Sequence, residues 1–220
     1  VLFMALFADV ISPHDPSEQY REFFEAPPAW VEGGSSRFLL GTDYAGRDML
    51  SRIIHGSRLS LMAGGIVILI CLTFGIIIGL TAAYFRGIVE TLIMRIMDTI
   101  LSVPGLLMAL VLVAVLGPGL VNAMIAISIT YLPYFVRLTR ASAISEASRE
   151  YVVASRVAGA GRLRIMFITI LPNCMAPLIV QATLSFSTAI LDTAALGFLG
   201  MGAQPPQPEW GTLIAENRDL

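Results

Sequence analysis

Three stretches of the chain carry no charged residue: Leu59 to Phe85, Thr99 to Val136, and Ile165 to Leu191. A helix needs roughly 20 apolar residues to cross the hydrocarbon layer of a bilayer. The first and third stretches each suit one tilted crossing. The middle one is too long for a single helix, and Gly117-Pro118-Gly119 supplies a turn inside it. The pattern predicts an all-α, polytopic transmembrane bundle with four full crossings, at about 59–85, 99–116, 120–136 and 165–191. Together they form a transmembrane core over 59–191.

The ends differ from this pattern. Val1 to Ala8 is apolar but, as a helix, reaches only about 12 Å; it reads as the outer end of a truncated transmembrane helix. Residues 9–58 form a polar loop rich in turn formers (Ser12-Pro13, Asp15-Pro16, Pro27-Pro28, Gly33-Gly34). Residues 192–220 read as a polar segment leading toward a final helix outside the sequence. Near the start of the first crossing, Thr42 or Asp43 is expected to cap the helix.

Composition agrees with a lipid solvent: hydrophobic residues make up 56% and charged residues 14%, against about a quarter charged in soluble domains. The arginines set the orientation. Segment 137–164 carries Arg137, Arg140, Arg149, Arg156, Arg162 and Arg164 against Glu146 and Glu150. Short basic loops stay in the cytoplasm, so 137–164 is expected inside, with 9–58 and 192–220 extracytoplasmic. Arg95 and Asp98 are spaced to pair on one helix. Gly75 and Gly79 form a GxxxG face suited to close helix packing.

Several chemistries are excluded. The chain has no lysine, hence no phosphate-loop lysine, Schiff-base lysine or Ser-Lys pair. It has no HExxH motif. Cys71 and Cys174 fall in predicted membrane helices and read as buried thiols, and His14 and His55 lie apart in the sequence. No catalytic residue, metal ligand or resident cofactor is expected, and no nucleic-acid partner. A secondary transporter or channel subunit is the alternative; it would need intramembrane charges or a pore ring, and Asp192 and Asp98 alone come close.

The most informative segment lies between the third and fourth crossings, at about 146–162. It opens with Glu146 and Glu150, as a helix N-terminus favours, and then turns small: Ala154, Ser155, Ala158, Gly159, Ala160, Gly161. Such a surface lets another backbone approach closely. It lacks the broad bulky face of an interfacial membrane helix, and a docking helix for a cytoplasmic protein fits better. Pro172, seven residues into the next crossing, should kink it. In that crossing Gln181, Ser185, Thr188 and Asp192 fall within about 60° of one another, a polar stripe. These groups serve either as hydrogen-bonding glue between helices or as the wall of a wet solute path. The stripe as a whole favours the path, because four polar groups in lipid need four partners.

Ala154, Ser155, Gly159, Leu171 and Pro172 fit the cytoplasmic-loop pattern of binding-protein-dependent ABC importer permeases, which the chain resembles. Val153 stands where that pattern has Glu. Further stretches (GTDYAGRDMLSRIIHGSRLSL, ILPNCMAPLIVQA and AALGFLGMGAQPPQPEWG) resemble the peptide/nickel branch, and within it the dipeptide importers. The resemblance implies a multi-pass subunit of the bacterial cytoplasmic (inner) membrane. It also implies a second permease subunit, two cytoplasmic ATPase subunits that hold ATP-Mg, and an extracytoplasmic solute-binding protein that docks on the outer loops. Glu150, Tyr151, Ala154, Ser155, Arg156, Gly159, Ala160 and Arg162 would then form the coupling helix that seats in the ATPase.

Overall fold

A computed structural model describes residues 1–218, and the last two residues of the expected 192–220 segment lie outside them. Among the described residues the order is α1 (Leu2–Leu6), α2 (Ala8–Ile11), α3 (Met49–Phe85), α4 (Gly87–Leu101), α5 (Gly105–Leu116), α6 (Leu120–Ala147), α7 (Glu150–Val157) and α8 (Arg162–Arg164). A π-helical turn over Ile165–Ile170 follows, then α9 (Leu171–Phe198) and α10 (Trp210–Glu216). No strand forms among these residues. Three helical stretches are long and apolar enough to cross a membrane: Met49–Phe85, Leu120–Ala147 and Arg162–Phe198. The all-α bundle read from the sequence is the one observed.

The crossing expected at 99–116 takes another form. Helices α4 and α5 meet at a 92° bend, where Pro104 follows the break at Ser102-Val103. Proline lacks an N–H and pushes its predecessor out of the helical region, so the uncharged run changes direction. The other three spans outgrow their uncharged runs. Helix α3 begins ten residues before Leu59, and α6 continues through Arg137 and Arg140 to Ala147. Pro172 is accommodated by the π turn just before it, where the Leu171 N–H donates to Met166 O, five residues back. The wider turn relieves the clash that a proline ring makes with the carbonyl four residues earlier.

The described residues divide into two compact units. In the one formed by Ile66–Ala109 and Ile125–Ala189, the GxxxG face meets α6. A Cβ built on Gly75 would lie 2.5 Å from the Phe135 Cβ, and one on Gly79 would lie 2.6 Å from the Thr139 Cβ. The small residues therefore serve backbone approach between α3 and α6. Two ion pairs tie α4 to α6: Arg140 Nε donates to Glu90 Oε1 at 2.6 Å, and Arg137 pairs with Asp98. Asp98 thus takes a partner on α6 and not Arg95 on its own helix.

The other unit, Val1–Gly65, Leu110–Met124 and Ile190–Leu220, is organised by charge. Asp48, and neither Thr42 nor Asp43, caps α3: its Oδ2 accepts from the Ser51 N–H at 3.1 Å. Thr42 instead ties two parts of the loop, accepting from the Ala26 N–H at 2.9 Å and donating to Phe23 O. Asp43 closes the 43–47 turn by accepting from the Ala45 and Arg47 N–H groups, both at 2.9 Å, and from Arg47 Nε at 2.7 Å. Arg47 and Arg52 then both reach Glu216 Oε2 in α10, at 3.2 and 2.8 Å. Asp43, Arg47 and Arg52 are all buried, with Arg52 fully so. Two cations thus meet two carboxylates across more than 160 residues of sequence.

A second buried contact fastens α10 beside the first. Glu209 caps α10 by accepting from the Thr212 N–H at 3.1 Å, and its other oxygen accepts from Ser60 Oγ at 3.1 Å. Trp210 Nε1 donates to Ile53 O at 3.1 Å. Gly211 lets α10 touch the α9 backbone, since a Cβ there would sit 2.0 Å from Ala194 O. Removing one partner of a buried ion pair typically costs about 3–5 kcal/mol. Arg52→Leu, and separately Glu216→Leu, are therefore expected to lower the thermal midpoint of the purified protein by many degrees. Unchanged melting for both variants would show that this cluster does not hold the unit together.

Candidate functional site

The segment between α6 and α9 holds the residues with the clearest potential to meet another protein. Glu150 sits in the first turn of α7 and Arg156 in its last, each where the helix dipole favours its charge. The helix stops at Val157, and Gly159 takes φ +82°, a left-handed conformation that suits glycine at a helix C-terminus. The expected helix over 146–162 is thus shorter: Glu146 closes α6, and 158–161 form the exit. Val152 anchors the segment. It is fully buried in a cluster with Leu80, Ala143, Ile165, Met166 and Cys174.

The predicted residues divide between several surroundings. Glu150 and Ala154 line a shallow concavity with Ser148, Val153, Val157 and Ala158. Val153 and Val157 are 47% and 83% exposed, so this face is apolar and uncovered. Tyr151 donates its hydroxyl to Glu146 Oε2 at 2.5 Å. Partial desolvation, then the Glu146 hydrogen bond and charge, push the Tyr151 phenol up to about 12, so it stays a donor at neutral pH. Ser155 is half-buried, and Ala160 packs against the Val152 cluster. Arg156 and Arg162 line a different cavity together with Arg86. Gly159 faces open space, with nothing within 4 Å of a Cβ built there.

The sequence reading selected small and charged residues and passed over the exposed valines. Their signal was present: Val153 and Val157 stand four apart, on one face of a helix with little else that is bulky. Leu163, past Gly159 in the sequence, is also uncovered, at 71% exposed.

The stripe on α9 is partly self-satisfied. Gln181 Nε2 donates to Ser185 Oγ at 2.9 Å, and Thr188 Oγ1 donates to Ser185 O at 3.1 Å. Ser185 is buried, Thr188 exposed, and Gln181 and Asp192 lie between. Ile179, Val180, Leu184 and Leu191 expose apolar surface on the same helix. No group of His, Cys, Asp or Glu among the described residues is placed to hold a metal, and Cys71 and Cys174 are separate buried thiols.

Residues 75–218 match the family model for the binding-protein-dependent transport system inner membrane component. The di/tripeptide transport system permease protein DppC of Pseudomonas aeruginosa is 61% identical over all of this chain and 72% of its own length. The dipeptide transport system permease protein DppC of Escherichia coli is 59% identical over 98% of this chain and 72% of its own length. Among solved structures, an inward-facing MetNI methionine ABC transporter chain superposes with a TM-score of 0.62 at 19% identity, over 70% of this chain and 77% of that one. At that identity the likeness speaks for the fold, and it is the fold of an ABC transporter permease. The chain belongs to the binding-protein-dependent transport system inner membrane component family, as a multi-pass permease subunit of a bacterial ABC importer.

Proposed function

We propose that this permease moves dipeptides or closely related small peptides inward across the bacterial cytoplasmic membrane. The 61% and 59% identity to permeases named for di/tripeptide and dipeptide transport carries this reading. The working complex contains a second permease subunit, two ATPase subunits that bind and hydrolyse ATP-Mg, and an extracytoplasmic solute-binding protein. Growth on dipeptides as the sole source of a required amino acid, with and without the gene, tests the substrate. Growth lost on dipeptides and kept on the free amino acid is the expected result; unimpaired dipeptide growth in a strain with no other peptide importer would reject it.

In this reading the arginine-rich segment 137–164 faces the cytoplasm, and the loop 9–58 faces outward as part of the docking surface for the binding protein. In a background without Cys71 and Cys174, Ser36→Cys should react with an impermeant maleimide on intact spheroplasts. Ser148→Cys should react after lysis alone. Both positions are exposed, so the reverse pattern would invert the orientation.

Coupling runs through α7 and its exit. ATP binding draws the ATPase pair together, and the docked helices transmit that motion to the spans; the ligand acts by favouring one state over the other. Val153, Ala154 and Val157 supply the apolar contact, with Glu150 at its edge. Gly159 offers a sharp test because this chain leaves open space around it. Gly159→Ala meets backbone strain of roughly 1 kcal/mol and should retain most uptake. Gly159→Trp adds bulk that nothing in this chain obstructs, so an effect of its size reports a neighbouring protein. It should abolish uptake and ATPase coupling at normal membrane abundance; uptake equal to that of Gly159→Ala would remove the docking role.

For the solute path, the polar stripe on α9 remains the candidate wall. Single cysteines at Gln181 and Thr188 should react with a small water-soluble thiol reagent, and at rates that change when ATP is trapped. Cysteines at Ile179 and Leu184 should stay silent, and one at the buried Ser185 should react slowly. Silence at both 181 and 188 would assign the stripe to packing.

A further inference from the structure

We infer that the cavity rimmed by Arg86, Arg156 and Arg162 is a binding site for the headgroup of an acidic phospholipid. The inference stands on the membrane-permease assignment and not on the coupling role of α7. The cavity holds about 550 Å³ and lies within one compact unit, between the end of α3, the last third of α6, and the segment from α7 to the π turn. Its inner wall is apolar and buried: Leu80, Met166 and Ile170 are each under 5% exposed. Its basic members are exposed.

Three arginines around one concavity repel one another unless an anion joins them. Elsewhere in the described residues six arginines, Arg47, Arg52, Arg58, Arg137, Arg140 and Arg149, meet carboxylates in eight ion pairs. Arg86, Arg156 and Arg162 have no such partner. Arg86 also holds φ 50° and ψ −167°, a sparsely populated backbone region for a non-glycine residue. That conformation sits at the α3–α4 junction, where glycine follows immediately as Gly87.

Depth identifies the anion. Leu80 belongs to the uncharged run of α3, which ends at Phe85, and Met166 and Ile170 open the uncharged run of the last span. The cavity therefore straddles the boundary between acyl chains and headgroups, apolar on the hydrocarbon side and basic on the aqueous side. A soluble phosphate would satisfy the rim and leave the apolar wall uncovered. An acidic lipid satisfies both, with its phosphate between the guanidinium groups and its glycerol and first methylenes against Leu80 and Ile170. Basic pockets between membrane helices at the aqueous boundary bind acidic headgroups in this way.

The test is native mass spectrometry of the whole transporter, extracted from membranes that contain phosphatidylethanolamine, phosphatidylglycerol and cardiolipin. Wild type should retain phosphatidylglycerol or cardiolipin. Arg86→Gln should lower that occupancy about fivefold, from about 1 kcal/mol per surface arginine, and the triple variant with Arg156→Gln and Arg162→Gln should remove it. Arg95→Gln makes the same charge change outside the cavity and should retain the lipid. A large excess of glycerol 3-phosphate should not displace it. Equal retention by Arg86→Gln and Arg95→Gln would overturn the site. So would displacement by glycerol 3-phosphate, which would make it a soluble-anion site. Loss of the ATPase subunits from Arg86→Gln with lipid retention unchanged would make the cavity a protein contact instead.

Discussion

In hydrocarbon, a backbone N–H or C=O without a partner costs several kcal/mol, so the chain is helical wherever it crosses. The places where it stops being helical therefore carry the design. Four matter here: the Arg86-Gly87 junction, the bend at 102–104, the Gly117-Pro118-Gly119 turn, and the exit of α7 at 158–161. Glycine or proline stands at each of them. Where proline falls inside a helix, the helix adapts: Pro133 and Pro177 sit within continuous helices, and Pro172 is preceded by a π turn.

Within this constraint charge is used in two ways. Deep in the unit that holds the loop and α10, charge is closed on itself: Asp43, Arg47, Arg52 and Glu216 pair with one another, and Glu209 is spent on a cap and on Ser60. Around α7, charge is left open, with an apolar face beside it at Val153 and Val157. The first arrangement fixes one geometry, and the second leaves surface for partners.

The sequence made the spans legible because burial in lipid leaves a plain mark, the absence of charge. That mark has length but no direction. Residues 99–116 read as one crossing, although Pro104 beside Gly105 held the sign of a bend. The GxxxG motif announced close packing, and Thr139 and Phe135 on α6, which receive it, become visible with the fold. Local rules misplaced the cap of α3, since Thr42, Asp43 and Asp48 are equally suited by type and the tertiary loop decides between them. The Glu216 and Glu209 contacts lie beyond any local rule, joining residues about 150 or more positions apart. On α7 the small-residue pattern located the candidate site, while the separation of Arg156 and Arg162 from the Val153 face needed coordinates, because 3.6-residue periodicity over eight residues does not say which side is covered.

The tie between Arg52 and Glu216 also has a consequence in time. Membrane proteins are made from the N-terminus onward, so Arg52 emerges when its partner is still 164 residues from synthesis. Throughout that interval the start of α3 and the turn before it carry two arginines with Asp43 as their one carboxylate in the cluster, and Ser60 waits for Glu209. The first long helix thus cannot complete its own end until the last described helix arrives. A chain halted before Glu216 therefore holds Arg47 and Arg52 with less negative charge beside them than the folded cluster supplies.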